Sequence, residues 1–296
     1  MIKRISVAGA TGNLGTRITR SLIDQGAEVV AIARKGTKSD KLTALQQLGA
    51  TVTTIDMTDP TAVAKALDGT SCVVSAMQGL RDVIVDAQSI LLDAAVTAGV
   101  GRFIPSDFST DFTKLPAGRN RNFDLRREFH TRLNAAPIAA TAIFNGAFGE
   151  ILTYNVPILD FKNQIVGYWD DPDWRLDFTT MDDTAAYTAA AALDATTPKA
   201  LRIASFQVTP RELQRFTEKT LKTPFTLKCL GSRDELAAYN ERERAAHPEG
   251  ELEIFPSWQQ SQYLESMFNT QHESLDNGRY PELKWTSLGE VVPTRS

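Results

Sequence analysis

Nine residues near the start, Val7-Ala8-Gly9-Ala10-Thr11-Gly12-Asn13-Leu14-Gly15, constrain this chain more than any other stretch. An apolar run over 4–8 leads into them and reads as a strand. An amphipathic segment over 14–25 leads out and reads as a helix. Strand, glycine-rich turn and helix together place a pyrophosphate on the amides of a helix N-terminus. Gly9 permits the tight turn, Gly12 lets the backbone approach the phosphates, and Gly15 lets the helix pack close to the strand. Thr11, Asn13 and Leu14 complete the loop. The spacing, Gly-x-x-Gly-x-x-Gly, is one residue wider at its start than the usual fingerprint. At the head of a βαβ unit it predicts dinucleotide binding, the alternative being a glycine turn that serves packing alone.

Strand-like and helix-like runs alternate onward from there. Strands are predicted over 28–34, 51–55, 71–76, 102–105 and 138–144. Helices are predicted over 39–48, from Asp59-Pro60 onward, over 82–98 and over 122–134. This alternation predicts an α/β protein with a Rossmann-type, doubly wound parallel sheet in the order 3-2-1-4-5-6. A nucleotide-binding domain is expected over 1–150. Beyond Asn145 prolines punctuate shorter units, with helices at 182–193, 210–220 and 233–246. Residues 151–296 are read mainly as a smaller α/β substrate lobe, with segments returning to the first domain. Glu241-Arg242-Glu243-Arg244 reads as a solvated helix face.

The formal net charge of −4 gives no basis for a nucleic-acid surface. Cys72 and Cys229 are the only cysteines, too few for a disulfide framework, and fit a reducing compartment. No apolar run approaches the roughly 20 residues of a membrane helix. Met1-Ile2-Lys3-Arg4 precedes an apolar run too short for a signal peptide. The expectation is a cytoplasmic protein without membrane or nucleic-acid partners. The three histidines are scattered and show no metal-ligand spacing, so no metal is predicted.

The end of the second strand discriminates between nicotinamide nucleotides. An acidic residue there favours NAD, whereas an arginine accommodates the 2′-phosphate of NADP. Arg34 stands nineteen residues beyond Gly15, followed by Lys35, and the next acidic residue is Asp40. One charge-assisted hydrogen bond is worth about 1.5–3 kcal/mol, roughly tenfold to hundredfold in affinity. NADPH/NADP is therefore the predicted cofactor, the alternative being a basic pair that solvates a surface turn.

Several segments now combine. The glycine turn and Arg34 are joined by Arg102-Phe103-Ile104-Pro105-Ser106-Asp107-Phe108 and by Phe144-Asn145-Gly146-Ala147-Phe148. Near the C-terminus comes Asp276-Asn277-Gly278-Arg279-Tyr280-Pro281-Glu282-Leu283. Together these resemble the isoflavone reductase-like and NmrA-like families of atypical short-chain dehydrogenases. The resemblance implies an NADPH-binding Rossmann domain and reductases acting on small aromatic plant-type compounds. It also implies an alternative, a nucleotide-binding redox sensor with little or no catalysis.

The families' catalytic lysine falls, in Phe123-Asp124-Leu125-Arg126-Arg127-Glu128-Phe129-His130, on Arg126. Arginine stays protonated in proteins, so it orients a substrate oxygen or stabilises negative charge but serves poorly as an acid or base. General acid–base assistance is worth roughly 10²–10⁴ in rate. His130, four residues on and on the same helical face, is the candidate for the missing acid. Its alternative is a helix histidine bonded to a neighbour or to water. Tyr280 and Lys284 match the Tyr-x-x-x-Lys pair in letters, but Pro281 spoils a helix there.

The reading that results is an NADPH-dependent reductase of a small aromatic or conjugated substrate. Ser75 and Ala76 lie where the fourth strand passes the nucleotide; Pro105, Ser106 and Phe144 lie at strand ends near the nicotinamide. The alternative, a sensor, binds a protein partner. A homodimer stays open.

Overall fold

The computed structural model describes residues 2–292. The chain forms two compact units. The first comprises the residues up to Phe108, Phe123–Ile143 and Thr184–Leu201. The second comprises Ser109–Asn122, Phe144–Asp183 and the residues from Arg202 onward.

In the first unit, β1 (Arg4–Ala8), α1 (Asn13–Asp24), β2 (Glu28–Arg34), α2 (Ser39–Gln47) and β3 (Thr51–Ile55) follow one another. Then come α3 (Pro60–Ala66), β4 (Cys72–Ser75), α4 (Gln88–Thr97), β5 (Arg102–Ile104), α5 (Arg121–Ala135) and β6 (Ala139–Ala140). The six strands make one parallel sheet in the order β3-β2-β1-β4-β5-β6. This is the predicted order, and its central strands β1, β2 and β4 are buried almost throughout, as strands covered on both faces are. Every residue of β4 is buried. Helix α1 buries Gly15, Ile18, Thr19 and Leu22, one stripe at helical spacing. Asp59 caps α3 through Thr61 N at 3.0 Å and Ala62 N at 3.1 Å, and Pro60 takes the first helical position.

Two predicted elements differ. The helix over 82–98 opens as a π-helical turn, Asp82–Ala87, before α4 begins. The wider turn accompanies a fully buried Gln88, which bonds Ile84 O at 2.9 Å and takes Ser106 N at 3.0 Å. The strand over 138–144 divides at Thr141. Thr141 N donates to Phe103 O at 3.0 Å, but Ala142 N turns to Lys199 O at 2.9 Å. Thr141 Oγ1, between Arg102 Nη1 and Pro198 O, holds that break.

The second unit contains a three-stranded sheet of Phe206–Val208, Leu176–Thr179 and Ala147–Phe148. A separate parallel pair joins Ile165–Tyr168 to Thr226–Cys229. Helices Met181–Leu193, Pro210–Leu221 and Arg233–Ala246 match the predicted ones to within a residue. Capping boxes start two of them, Thr209 with Glu212 and Ser232 with Glu235. Trp169 and Phe268 meet edge-on at 5.1 Å in the core. Helix Ser257–Asn269 has no counterpart among the predicted elements. Its buried face is largely polar, with Gln259, Gln262, Glu265 and Ser266 inside, so it lacks an apolar stripe. Among the described residues no helix is long and apolar enough to cross a membrane.

Candidate functional site

The glycine turn sits between β1 and α1. Gly9 has φ +79° and lies against the end of β4: a Cβ on it would stand 2.5 Å from Ala76 O. A Cβ on Gly15 would stand 2.1 Å from Gly9 O. Neither position accepts a side chain without moving backbone. Gly12 is less confined, with 3.3 Å to Gly9 O, and it forms the N-cap of α1 with no side-chain cap. The turn closes through Gly12 N to Gly9 O at 3.0 Å and Thr16 Oγ1 to Ala10 O at 2.9 Å. The first turn of α1 is thus left without a side-chain cap. Gly12 and Asn13 are exposed, and Thr11 and Leu14 are half-buried.

Arg34 and Lys35 leave β2 exposed. Neither forms an ion pair among the described residues. Arg34 O anchors the following turn by accepting from Thr37 N and Thr37 Oγ1. Asp56, at the end of the neighbouring strand, spends its carboxylate on Thr58; those bonds, with Lys35 nearby, hold it below the usual range.

The exits of β4 and β5 are tied together. Ser106 Oγ donates to Met77 O at 2.7 Å, and Ser106 N donates to Gln88 Oε1. Ser75, Pro105 and Ser106 are buried, and Ala76 is half-buried. From α5, Arg126 Nε donates to Ser106 O at 3.0 Å. One turn on, His130 Nε2 lies 2.6 Å from Oδ2 of the fully buried Asp107. Arg126 and His130 therefore share a face and grip adjacent residues of one loop. Asp107 and Gln88 are the two participants missing from the residues singled out in the sequence. Asp107 stands in the Pro-Ser-Asp-Phe segment, but nothing in its spacing names His130 as its partner.

Phe144 belongs to the second unit, 1% exposed. Its ring meets Phe112 edge-on at 5.5 Å, and the Arg202 guanidinium lies 5.8 Å above it. Tyr280 ends a short 3₁₀ turn, so it and Lys284 share no helix. Burial between strands pushes the Cys72 thiol up to about 12, which removes it as a nucleophile. Among the described residues no three His, Cys, Asp or Glu side chains converge as metal ligands.

A Rossmann-type unit with a glycine turn, a basic second-strand exit and an Arg/His helix face defines the class. The chain belongs to the NmrA-like family, which its residues 1–230 match. It is 28% identical to pinoresinol reductase 2 of Arabidopsis thaliana over 98% of this chain and 96% of that one. The solved structure of AtPrR2 with NADP+ and (+)pinoresinol superimposes with a TM-score of 0.81. Identity there is 25%, with 99% of this chain and 98% of that chain covered. A crystal structure of isoflavone reductase also reaches 0.81, covering 99% of both chains at 19% identity, a likeness of fold alone.

Proposed function

We propose that this protein is an NADPH-dependent reductase of a small aromatic or conjugated molecule. The observation that carries the reading is the glycine turn. Gly9 and Gly15 leave no room for a Cβ, and α1 begins without a side-chain cap. Such a cradle fits a pyrophosphate, with Gly9, Thr11, Gly12, Asn13, Leu14 and Gly15 around it. Arg34 and Lys35 fit a 2′-phosphate, since both are exposed and neither forms an ion pair among the described residues. Ser75, Ala76, Pro105 and Ser106 are the residues of the first unit assigned to the nucleotide's other end. The likeness to a pinoresinol reductase, and to a structure holding NADP+, supports both cofactor and substrate class.

The bound nucleotide would supply the hydride. The residues of this chain would bind and orient. Arg126, fixed through Nε to Ser106 O, would offer positive charge to a substrate oxygen. His130, held by Asp107, would keep a proton at its imidazole for the reduced product.

The test is NADPH consumption against conjugated carbonyls, quinones and benzylic ethers, with wild type and Arg126→Ala. Turnover that falls at least tenfold in the variant supports the assignment. The second reading, a nucleotide-sensing regulator with a protein partner, draws on one observation. Arginine stands where the resemblance places a lysine, and arginine does not release its proton. No turnover on any acceptor, with NADPH binding intact, selects the sensor.

A further inference from the structure

The second unit carries, over 247–256, a surface segment to which the proposed hydride chemistry gives no task. It leads from helix Arg233–Ala246 into helix Ser257–Asn269. Its main chain is gripped from beneath by the buried Arg121. That guanidinium donates through Nη1 to Gly250 O at 3.1 Å, and through Nη2 to Glu253 O at 2.8 Å and Ile254 O at 3.1 Å. Asn122 Nδ2 donates to Ile254 O as well, at 3.1 Å. Trp258 Nε1 holds His247 O at 3.3 Å, and Gln260 Nε2 holds Phe255 O at 2.9 Å. Gly250 is wedged against the same tryptophan: a Cβ on it would stand 2.5 Å from Trp258 Nε1. With its carbonyls converging on one buried cation, the segment bulges toward solvent and its shape is fixed.

What it presents is unlike a solvated loop. Leu252 is 85% exposed, more than any other large hydrophobic side chain among the described residues, and Phe255 is 44% exposed. A loose turn could fold such side chains back against the surface. This one is held, so both stay in water. Apolar groups fixed in place before contact are what interfaces use, because binding then carries little further ordering cost.

The charge around them narrows the occupant. The segment 247–256 contains Glu249, Glu251 and Glu253 and no lysine or arginine. Glu251 turns inward, with Oε2 3.4 Å from Arg121 Nη1 and Oε1 2.6 Å from Arg244 Nε. Glu249 and Glu253 stay exposed. Glu249 meets the His247 ring at 3.2 Å, and Glu253 has no ion pair among the described residues. Leu252 and Phe255 are therefore flanked by uncompensated carboxylate. An anionic lipid surface is repelled. A second copy docked patch to patch brings like charges together. A protein surface that is apolar at its centre and basic at its edge complements both features.

We infer that Leu252 and Phe255 form a docking point for a partner protein whose surface has an apolar centre and a lysine- or arginine-rich edge. None of these residues belongs to the proposed nucleotide site, so the inference stands independently of the reductase reading.

The probes are three labelled helical peptides: one with a leucine face edged by lysine, one with glutamate in place of lysine, and one with serine in place of leucine. Binding to the full chain is followed by fluorescence anisotropy. Wild type should bind the leucine–lysine peptide at least tenfold more tightly than either of the others. Leu252→Ser combined with Phe255→Ser should weaken that binding at least tenfold. Glu249→Gln combined with Glu253→Gln should weaken it and remove most of its salt dependence. Both variants alter exposed side chains alone, so the urea midpoint and NADPH affinity should match wild type. Absence of a preference among the three peptides overturns the inference. So does binding that survives the paired serine substitutions, which would mark a general attraction to an acidic protein. The other occupants are tested with the same variant. Self-association in sedimentation that it abolishes assigns the patch to a second copy. Flotation with phosphatidylcholine vesicles that it abolishes assigns the patch to a lipid surface. Either result overturns the inference.

Discussion

At the residue scale, two positions test the proposed nucleotide site. Gly15→Ala places a methyl 2.1 Å from Gly9 O, so the turn or α1 must shift. NADPH affinity should fall at least tenfold, measured by quenching of protein fluorescence. Unchanged affinity would mean that the turn serves packing alone. Arg34→Glu acts further out, on an exposed side chain, and leaves the turn intact. It replaces a charge-assisted bond worth about 1.5–3 kcal/mol with repulsion, so NADPH should weaken tenfold to hundredfold or more. NADH binding should change little. Equal losses for both nucleotides would show that Arg34 does not reach the 2′-phosphate. The confined geometry of Gly9 and Gly15 was legible because its conformational requirements are local. Asp107 was not, because its role depends on His130, brought to it by tertiary packing.

At the element scale, the units with a strong period were read to within a residue or two, from β1 through β5. Hydrophobic alternation and glycine stops define such elements without reference to neighbours. Where reading failed, a long-range polar bond had taken over. Gln88 accompanies the π-turn by reaching Ser106, and Thr141 ends β6 by bonding Arg102 and Pro198. Helix Ser257–Asn269 buries glutamines against partners such as Asn120, which bonds Gln259 at 3.0 Å. No local pattern announces that. Gln88→Leu should therefore do more than lose a bond. It strips Ser106 N of its acceptor, and the Ser106 carbonyl also holds Arg126. An unmet buried amide costs about 1–3 kcal/mol. Urea unfolding should show that loss, with a lowered kcat wherever turnover is found. Asp59→Ala, by contrast, should cost about 1 kcal/mol through the cap of α3 and leave NADPH affinity alone.

At the scale of the whole molecule, stability should depend on pH through His272. Its pKa in the folded chain is lowered, chiefly by burial, with Arg202 and Lys114 adding to the effect. Asp177 and Asp111 oppose the shift but do not cancel it. The unfolded chain keeps the ordinary value near 6.5. As pH falls through that value, the unfolded chain takes up a proton that the folded chain refuses. The folded state then loses stability, by up to about 1.4 kcal/mol per pH unit for a single group. Above roughly pH 7.5 both states are neutral at this residue and the contribution is flat. Carboxylates held low by their partners, such as Asp160 by Asn163 and Asp173 by Arg211, act in a separate window. They stabilise the fold above the ordinary carboxylate value near 4, and that contribution is lost below it. Between pH 7 and 5 the histidine should dominate. Urea unfolding across that range should therefore slope downward for wild type and flatten in His272→Gln. Parallel curves throughout would mean that His272 is protonated as readily in the folded protein as in the unfolded one. Its unpartnered nitrogens would then have to face a charge-stabilising neighbour.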